Sequence, residues 1–212
     1  MSHGVHAVQH EVKHRLEHEH GGGSGHEKSI TLDSQNKKVA LVIAILALFL
    51  AFSETLGKSA QTNAISHTVE ASNLWAFFQA KSIRRTTVLT AAEGMTAELP
   101  AASSEAVKAS MTRQIDSWQK TAARYRSEPD IREGTVELAD RAKQAEARRD
   151  TAMARYHHYE VASAAFQIAI VLASSTVITG VLLLTYLAGG LGAIGLIFLA
   201  IGLLAPHSVH LF

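Results

Sequence analysis

Histidine is the residue type with the clearest chemical potential in this chain. His6, His10, His14 and His18 recur every four residues near the amino end, so neighbouring imidazoles would share a face of a helix. Imidazoles at this spacing can bind a divalent ion such as Zn²⁺ or Ni²⁺ together. A loosely ordered tail would bind metal weakly, because ordering the chain costs entropy. The sequence therefore leaves two interpretations open, a divalent-metal site and a solvated, pH-responsive tail.

Catalytic chemistry has no comparable pattern. The chain has no cysteine, which excludes disulfides, thiol catalysis and cysteine-zinc sites. It contains no glycine-rich phosphate loop and no recognisable serine, histidine and aspartate set. We therefore expect a protein that is not an enzyme and that holds no cofactor. With 20 Lys and Arg against 19 Asp and Glu, the balance of charge does not indicate nucleic-acid binding.

The carboxyl-terminal part of the chain is the most hydrophobic. Val161–Ala205 contains no Asp, Glu, Lys, Arg or His. Because one helical span of a bilayer needs about 20 apolar residues, this length predicts two spans folded as a hairpin. We place the turn at Leu184–Gly190, where Gly189 and Gly190 can adopt positive φ and Tyr186 can lie among the headgroups. Small residues on both predicted spans would allow the two helices to pack closely.

A further apolar run, Val39–Phe52, predicts the first span. The small residues Ala40, Ala44, Ala47 and Ala51 recur at spacings of four and three, which would let another helix approach this face. Glu54 and Lys58 follow as an i, i+4 pair. We assign these two residues to the junction between the membrane and the next segment.

Residues 58–160, called the stalk below, carry a helical pattern interrupted at Pro100 and at Ser127–Asp130. Alternating β-branched runs and Asn-Gly turns, which would indicate strands, are missing. The pattern predicts three extramembrane helices. Their largest aromatic side chains suit either the core of the bundle or a contact with a partner, and we take them as the candidate partner contact: Trp75, Phe77, Phe78 and Trp118.

The predicted fold is an all-α membrane protein with three transmembrane helices and a long helical hairpin or stalk between the first and second. Its segments are a flexible His-rich tail (1–38), transmembrane helix 1 (39–57), the stalk (58–160), a transmembrane hairpin (161–205) and a short C-terminal tail (206–212).

Basic residues near membrane spans usually stay in the cytoplasm. Lys28, Lys37 and Lys38 favour a cytoplasmic amino end, which conflicts with the larger group before the second span. That group favours a cytoplasmic stalk, and we adopt this orientation: Arg141, Lys143, Arg148, Arg149 and Arg155.

Three blocks of residues carry a resemblance to a known family: Asn36–Val39, Glu54–Thr62 and Glu70–Lys81. Together they resemble a bacterial membrane-protein family known only as a domain of unknown function, number 4337. The likeness covers roughly residues 36–190 and includes a variable His-rich tail. It implies a protein of the bacterial inner membrane, and it transfers no functional residue because the family has no assigned activity.

Three functions fit these observations. The first is a membrane-anchored helical scaffold that self-associates, or docks another membrane protein, through its stalk. The second is a metal-handling protein whose tail collects Ni²⁺ or Zn²⁺. The third is a small oligomeric channel built around the alanine face of the first span.

Overall fold

The computed structural model describes the backbone of residues 25–208 and the side chains of residues 36–208. Within that part the chain forms helices and no strand. The elements are α1 (Gly25–Glu98), a short 3-10 helix (Leu99–Ala101), α2 (Glu105–Arg126), α3 (Thr135–Thr179) and α4 (Leu182–Leu204). The predicted all-α fold is confirmed. Three of the helices, α1, α3 and α4, are long and apolar enough to cross a membrane.

Proline marks the helix ends, because its ring blocks the backbone hydrogen bond that continues a helix. The chain has 3 prolines. Pro100 lies in the 3-10 helix after α1, Pro129 lies between α2 and α3, and Pro206 follows α4. Since no proline interrupts residues 25–98, α1 runs for 74 residues. It begins at Gly25, so part of the segment that the sequence predicts to be a flexible tail is helical.

The connection between α2 and α3 differs from the prediction. The sequence indicates a helix start at Ser127–Asp130, but α3 begins at Thr135. The carboxylate of Glu137 in the first turn of α3 accepts hydrogen bonds from Ser127 Oγ at 2.5 Å and from the Glu128 amide at 3.3 Å. Gly134 is needed here, because a Cβ at this position would lie 2.5 Å from the Cα of Ser127. These hydrogen bonds attach the loop to the first turn of α3, and the loop itself lies outside the helix.

The predicted turn of the hydrophobic hairpin is wrong. The turn lies at Gly180–Val181, and the predicted turn residues Leu184–Gly190 lie inside α4. Gly180 has φ of +71°, a conformation that costs other L-residues more. The backbone amide of Val181 donates to Thr179 Oγ1 at 3.3 Å. The adjacent glycines Gly189 and Gly190 therefore do not form the turn, and the single glycine Gly180 ends α3.

The chain divides into two compact units: residues up to Ser53 with Val161–Phe198, and Glu54–Glu160 with Leu199–Phe212. The first unit contains the hydrophobic parts of α1, α3 and α4. Phe166 is fully buried and stacks on Phe49, with ring centroids 6.0 Å apart. A Cβ at Gly195 would lie 2.7 Å from the Phe166 ring, so glycine is required for this packing. The predicted small face of α3 is buried: Ala165, Ala169, Ala173 and Thr176.

The second unit contains the stalk. Its core is a cluster of small and branched side chains from α1 and α3: Ala71, Leu74, Leu138, Ala142 and Ala145. The stalk sequence places apolar residues of α1 on a ladder with alternating spacings of three and four, interrupted by Lys81. Ala60, Ala64 and Ala92 of this ladder are also buried, which confirms it as a core face. In α2, Ile115 and Ala122 are buried, and Ser104 caps the helix by accepting a hydrogen bond from the Val107 amide.

Candidate functional site

The candidate partner-contact residues are placed in different environments within the stalk. Trp75 and Phe78 pack against the core cluster, in an edge-to-face pair with centroids 5.4 Å apart. The indole Nε1 of Trp75 donates to Glu146 Oε1 at 2.8 Å. Phe77 is 37% exposed and Trp118 is half-buried. The structure therefore brings Trp75 and Phe78 together in the interior and leaves Phe77 nearer to solvent.

Lys81 is the most unexpected side chain of the stalk, because a lysine is only 6% exposed there. Its Nζ donates to Glu128 Oε2 at 3.3 Å and lies 3.8 Å from Glu133 Oε2. The ammonium also lies 5.5 Å from the ring centroid of Phe77 and 6.0 Å from that of Tyr125, within cation-π distance. One buried cation thus contacts α1, α2 and the loop that precedes α3.

A second charged group joins α1 to α3. The carboxylate of Glu70 accepts hydrogen bonds from Arg148 Nη2 at 2.9 Å and from His67 Nδ1 at 3.2 Å. The bond from His67 and then the bond from Arg148 hold the pKa of Glu70 below its ordinary value. Since both bonds favour the ionised carboxylate, this pair is strongest above the titration range of Glu70.

The predicted junction residues Glu54 and Lys58 both lie exposed on α1, in the second unit. Beside them the helices approach closely, because a Cβ at Gly57 would lie 3.4 Å from the Cβ of Tyr159. Burial raises the pKa of the Tyr159 phenol. A Cβ at Gly202 would lie 2.7 Å from the Tyr159 ring. One aromatic side chain therefore contacts glycines from two other helices.

The segment after α4 is also attached to α3. His158 is 1% exposed, and its Nε2 donates to the backbone carbonyl of Pro206 at 3.0 Å. The ring of His207 lies within hydrogen-bond distance of the Thr151 hydroxyl, at 3.1 Å. These histidines therefore have packing partners in the second unit.

The opposite side of α1 from the core cluster forms a long exposed face within the stalk. We call it the outer α1 face and define it by residues that alternate at spacings of three and four. All of them are exposed: Thr62, Ile65, Val69, Ser72, Ala76, Gln79, Ile83, Thr86 and Thr90. A shallow groove of about 660 Å³ surrounds Ile83, Thr86 and Thr90 on this face.

The predicted metal residues His6, His10, His14 and His18 lie outside the described residues. Between residues 36 and 208, no group of three or more His, Asp or Glu side chains is placed to hold a metal ion.

Sequence reasoning missed Lys81 and the outer α1 face. Lys81 carried a usable signal, since it lies on the apolar ladder of α1 beside two phenylalanines. The outer α1 face carried a weaker one, because most of its residues are hydroxyl or small residues.

Comparison with known proteins identifies one family. The family model described as "Domain of unknown function (DUF4337)" matches residues 35–205. No curated protein and no solved structure matches the chain.

Proposed function

This chain belongs to the DUF4337 family, which has no assigned activity, and from that premise we propose that it is a non-enzymatic, membrane-anchored helical scaffold. Its copies self-associate through the outer α1 face. The bilayer in question is the bacterial inner membrane, crossed by α1, α3 and α4. The observation that carries the proposal is the absence of charge on the outer α1 face.

Between Thr62 and Thr90 the outer α1 face carries no charge, and the exposed residues Lys58 and Glu93, at the next positions of the same spacing, mark its two ends. In the stalk, Glu70 pairs with Arg148 of α3, and Lys81 pairs with Glu128 beside α2. The outer α1 face instead exposes Ile65 at 61%, Val69 at 55% and Ile83 at 66%. A helix that stays in water normally carries its charges on the exposed side. An uncharged exposed face with apolar side chains is typical of a surface that another protein covers.

The spacing of the face favours a second copy of the same helix as its partner. Alternating steps of three and four repeat every seven residues, which is the spacing of coiled-coil contact positions. Copies anchored in one membrane have the same orientation, so a two-fold parallel pair places each residue opposite its own equivalent. Charged residues would repel their equivalents in that arrangement, and the outer α1 face has none. The β-branched residues Val69 and Ile83 occupy equivalent heptad positions on this face.

The membrane unit offers independent support. In that unit α1 buries Val39, Leu46 and Ser53. The small residues Ala40, Ala44, Ala47 and Ala51 stay exposed. A stripe of small residues allows close approach of another helix in lipid. Because these side chains are small and exposed, a helix of a second copy could pack closely against them.

This proposal moves the contact away from the aromatic residues that the sequence suggested. Trp75 and Phe78 already pack against Ala71 and Leu74 inside the stalk. They hold the helix that presents the outer α1 face.

Disulfide crosslinking tests the proposal directly, because the natural chain has no cysteine. We would introduce Ser72→Cys into the full-length protein and oxidise native membranes. The matched control is Ser66→Cys, an exposed serine on the same helix, six residues and thus about 120° away. Only the first variant should give a disulfide-linked dimer, since the two Cα atoms must approach within about 7 Å.

A second variant tests the role of charge. Adding Ile83→Glu to Ser72→Cys should abolish the dimer, because two carboxylates would face each other across the seam. Equal crosslinking of Ser72→Cys and Ser66→Cys, or no crosslinking of either, would contradict the proposal. So would crosslinking that survives Ile83→Glu.

A further inference from the structure

A small cavity lies in the second unit, at the end of the stalk next to the hydrophobic runs. Its volume is about 250 Å³, smaller than the pockets of about 300–1,000 Å³ that hold drug-sized ligands. The residues that matter for its chemistry come from three helices: Leu56, Ser59 and Asn63 of α1, Arg155 and Tyr159 of α3, and Leu203 of α4.

The polar side of the cavity favours an anion. Arg155 supplies a permanent positive charge, and among residues 36–208 no carboxylate lies within ion-pair distance of it. Ser59 and Asn63 add a hydroxyl and an amide that can donate hydrogen bonds. Guanidinium groups match the geometry of phosphate oxygens, because two of their N–H groups can bond to one phosphate at once.

The other side of the cavity is apolar, and its residues lie close in sequence to the hydrophobic runs of the chain. Leu56 and Leu203 line it beside the hydrophobic parts of α1 and α4. Arg155 lies six residues before Val161, which is about 9 Å along a helix. The headgroup layer of a bilayer extends roughly 5–8 Å beyond its hydrocarbon core. The Cα of Arg155 therefore lies close to the outer limit of that layer.

We propose that this cavity binds a phosphate group through Arg155, Ser59 and Asn63, with Leu56 and Leu203 contacting the carbon chain attached to it. The position next to the hydrophobic helices makes a phospholipid headgroup the source. This source rests on the proposed membrane crossing, whereas the phosphate chemistry rests on the cavity alone.

The test uses full-length protein, stripped of lipid in detergent and analysed by native mass spectrometry. The probes are phosphatidylglycerol, diacylglycerol, which has similar chains and no phosphate, and inorganic phosphate. We expect phosphatidylglycerol to bind and diacylglycerol not to. Arg155→Gln should weaken phosphatidylglycerol binding about tenfold, the effect of losing one charged hydrogen-bonding partner.

The matched control is Arg149→Gln, which removes an equal charge from the same helix at an arginine paired with Asp150. It should bind phosphatidylglycerol like the natural protein. Asn63→Leu, which changes no charge, should also weaken binding and serves if Arg155→Gln fails to fold. Equal binding by Arg155→Gln and Arg149→Gln, or equal binding of diacylglycerol, would overturn the proposal.

Two further results separate this site from the proposed function. Inorganic phosphate that binds the natural protein and not Arg155→Gln, without any lipid binding, would support the phosphate site and reject the lipid as its source. The Ser72→Cys dimer should form equally in Arg155→Gln protein, because the cavity residues are not part of the outer α1 face. Loss of that dimer in Arg155→Gln protein would contradict a separate phosphate site.

Discussion

Removing Glu128 should destabilise the folded protein more than removing its ion-pair partner, the buried Lys81. The Lys81 side chain is 7% exposed, whereas that of Glu128 is 24% exposed and also lies 3.7 Å from Arg124 Nε. Replacing Glu128 by Gln leaves a buried cation with one weaker carboxylate, that of Glu133 at 3.8 Å. Replacing Lys81 by Met removes the buried cation altogether, and Glu128 can regain water and keep Arg124. The two substitutions should therefore differ in cost.

The magnitude follows from the distances. At 3.3 Å, two unit charges attract by about 5 kcal/mol at an effective dielectric constant near 20, before desolvation is counted. Most of that attraction is offset by the cost of removing the charges from water. A hydrogen bond to a charged group has a net worth of about 1.5–3 kcal/mol. Because the Lys81 bond is long, we expect Glu128→Gln to lower the free energy of unfolding by about 2 kcal/mol.

Lys81→Met should cost under about 1 kcal/mol, since Met packs between the rings of Phe77 and Tyr125 and replacing a buried ion pair by apolar groups is often neutral. The assay is a urea titration of the full-length protein in mild detergent, followed by tryptophan emission. Both tryptophans, Trp75 and Trp118, lie in the second unit, so the signal reports on the stalk. Glu128→Gln should lower the urea midpoint by about 1 M. A Lys81→Met variant that is as unstable as Glu128→Gln would refute the reasoning.

Three further changes test other contacts of the described residues. Glu70 has a lowered pKa in the folded state, so its contribution is present above its ordinary value of 4.5 and is lost as the pH falls through the lower folded value. Glu70→Gln should therefore flatten the fall of the urea midpoint below pH 4.5, and Glu93→Gln, an exposed control, should not. Gly195→Ala places a methyl group 2.7 Å from an aromatic ring and should cost about 1–3 kcal/mol in thermal unfolding, whereas Gly190→Ala has open space and should cost nothing. Gly134→Ala should lower the urea midpoint of the stalk, since backbone atoms at 2.5 and 2.6 Å cannot move aside cheaply.

Each of these has a clear contrary result. The pH argument is wrong if the Glu70→Gln and natural proteins lose stability in parallel on acidification. The packing argument fails if the Gly195→Ala and Gly190→Ala proteins have the same melting temperature. An unchanged urea midpoint for Gly134→Ala would show that the loop before α3 relaxes without cost.

Much of the fold follows from the sequence because its signals are local. Pro100 ends α1 as predicted, and Ser104 caps α2 through its own side chain. The ladder through Ala64 and Leu74 identifies the core face of α1, because apolar residues at helical spacing form a stripe that packs against the core. These features need no knowledge of the partner helix.

Other features could not be read from the chain, because they depend on which elements meet. Gly189 and Gly190 looked like a turn, but α4 continues through them and Gly180 alone takes the positive φ. Lys81 looked like an interruption of the ladder, and only the fold places Glu128 and Glu133 beside it. The outer α1 face is defined by the burial of the opposite face of α1, which depends on the packing of α3 against it.

The contacts of α3 with the segment after α4 bear on the order in which this protein is made. The stalk residues 54–160 form one compact unit with Leu199–Phe212, and the bond from His158 to the Pro206 carbonyl lies within it. The ribosome synthesises Pro206 only after both arms of the hydrophobic hairpin. The stalk therefore remains incomplete at that end throughout hairpin synthesis, and its final packing must wait until the hairpin has emerged.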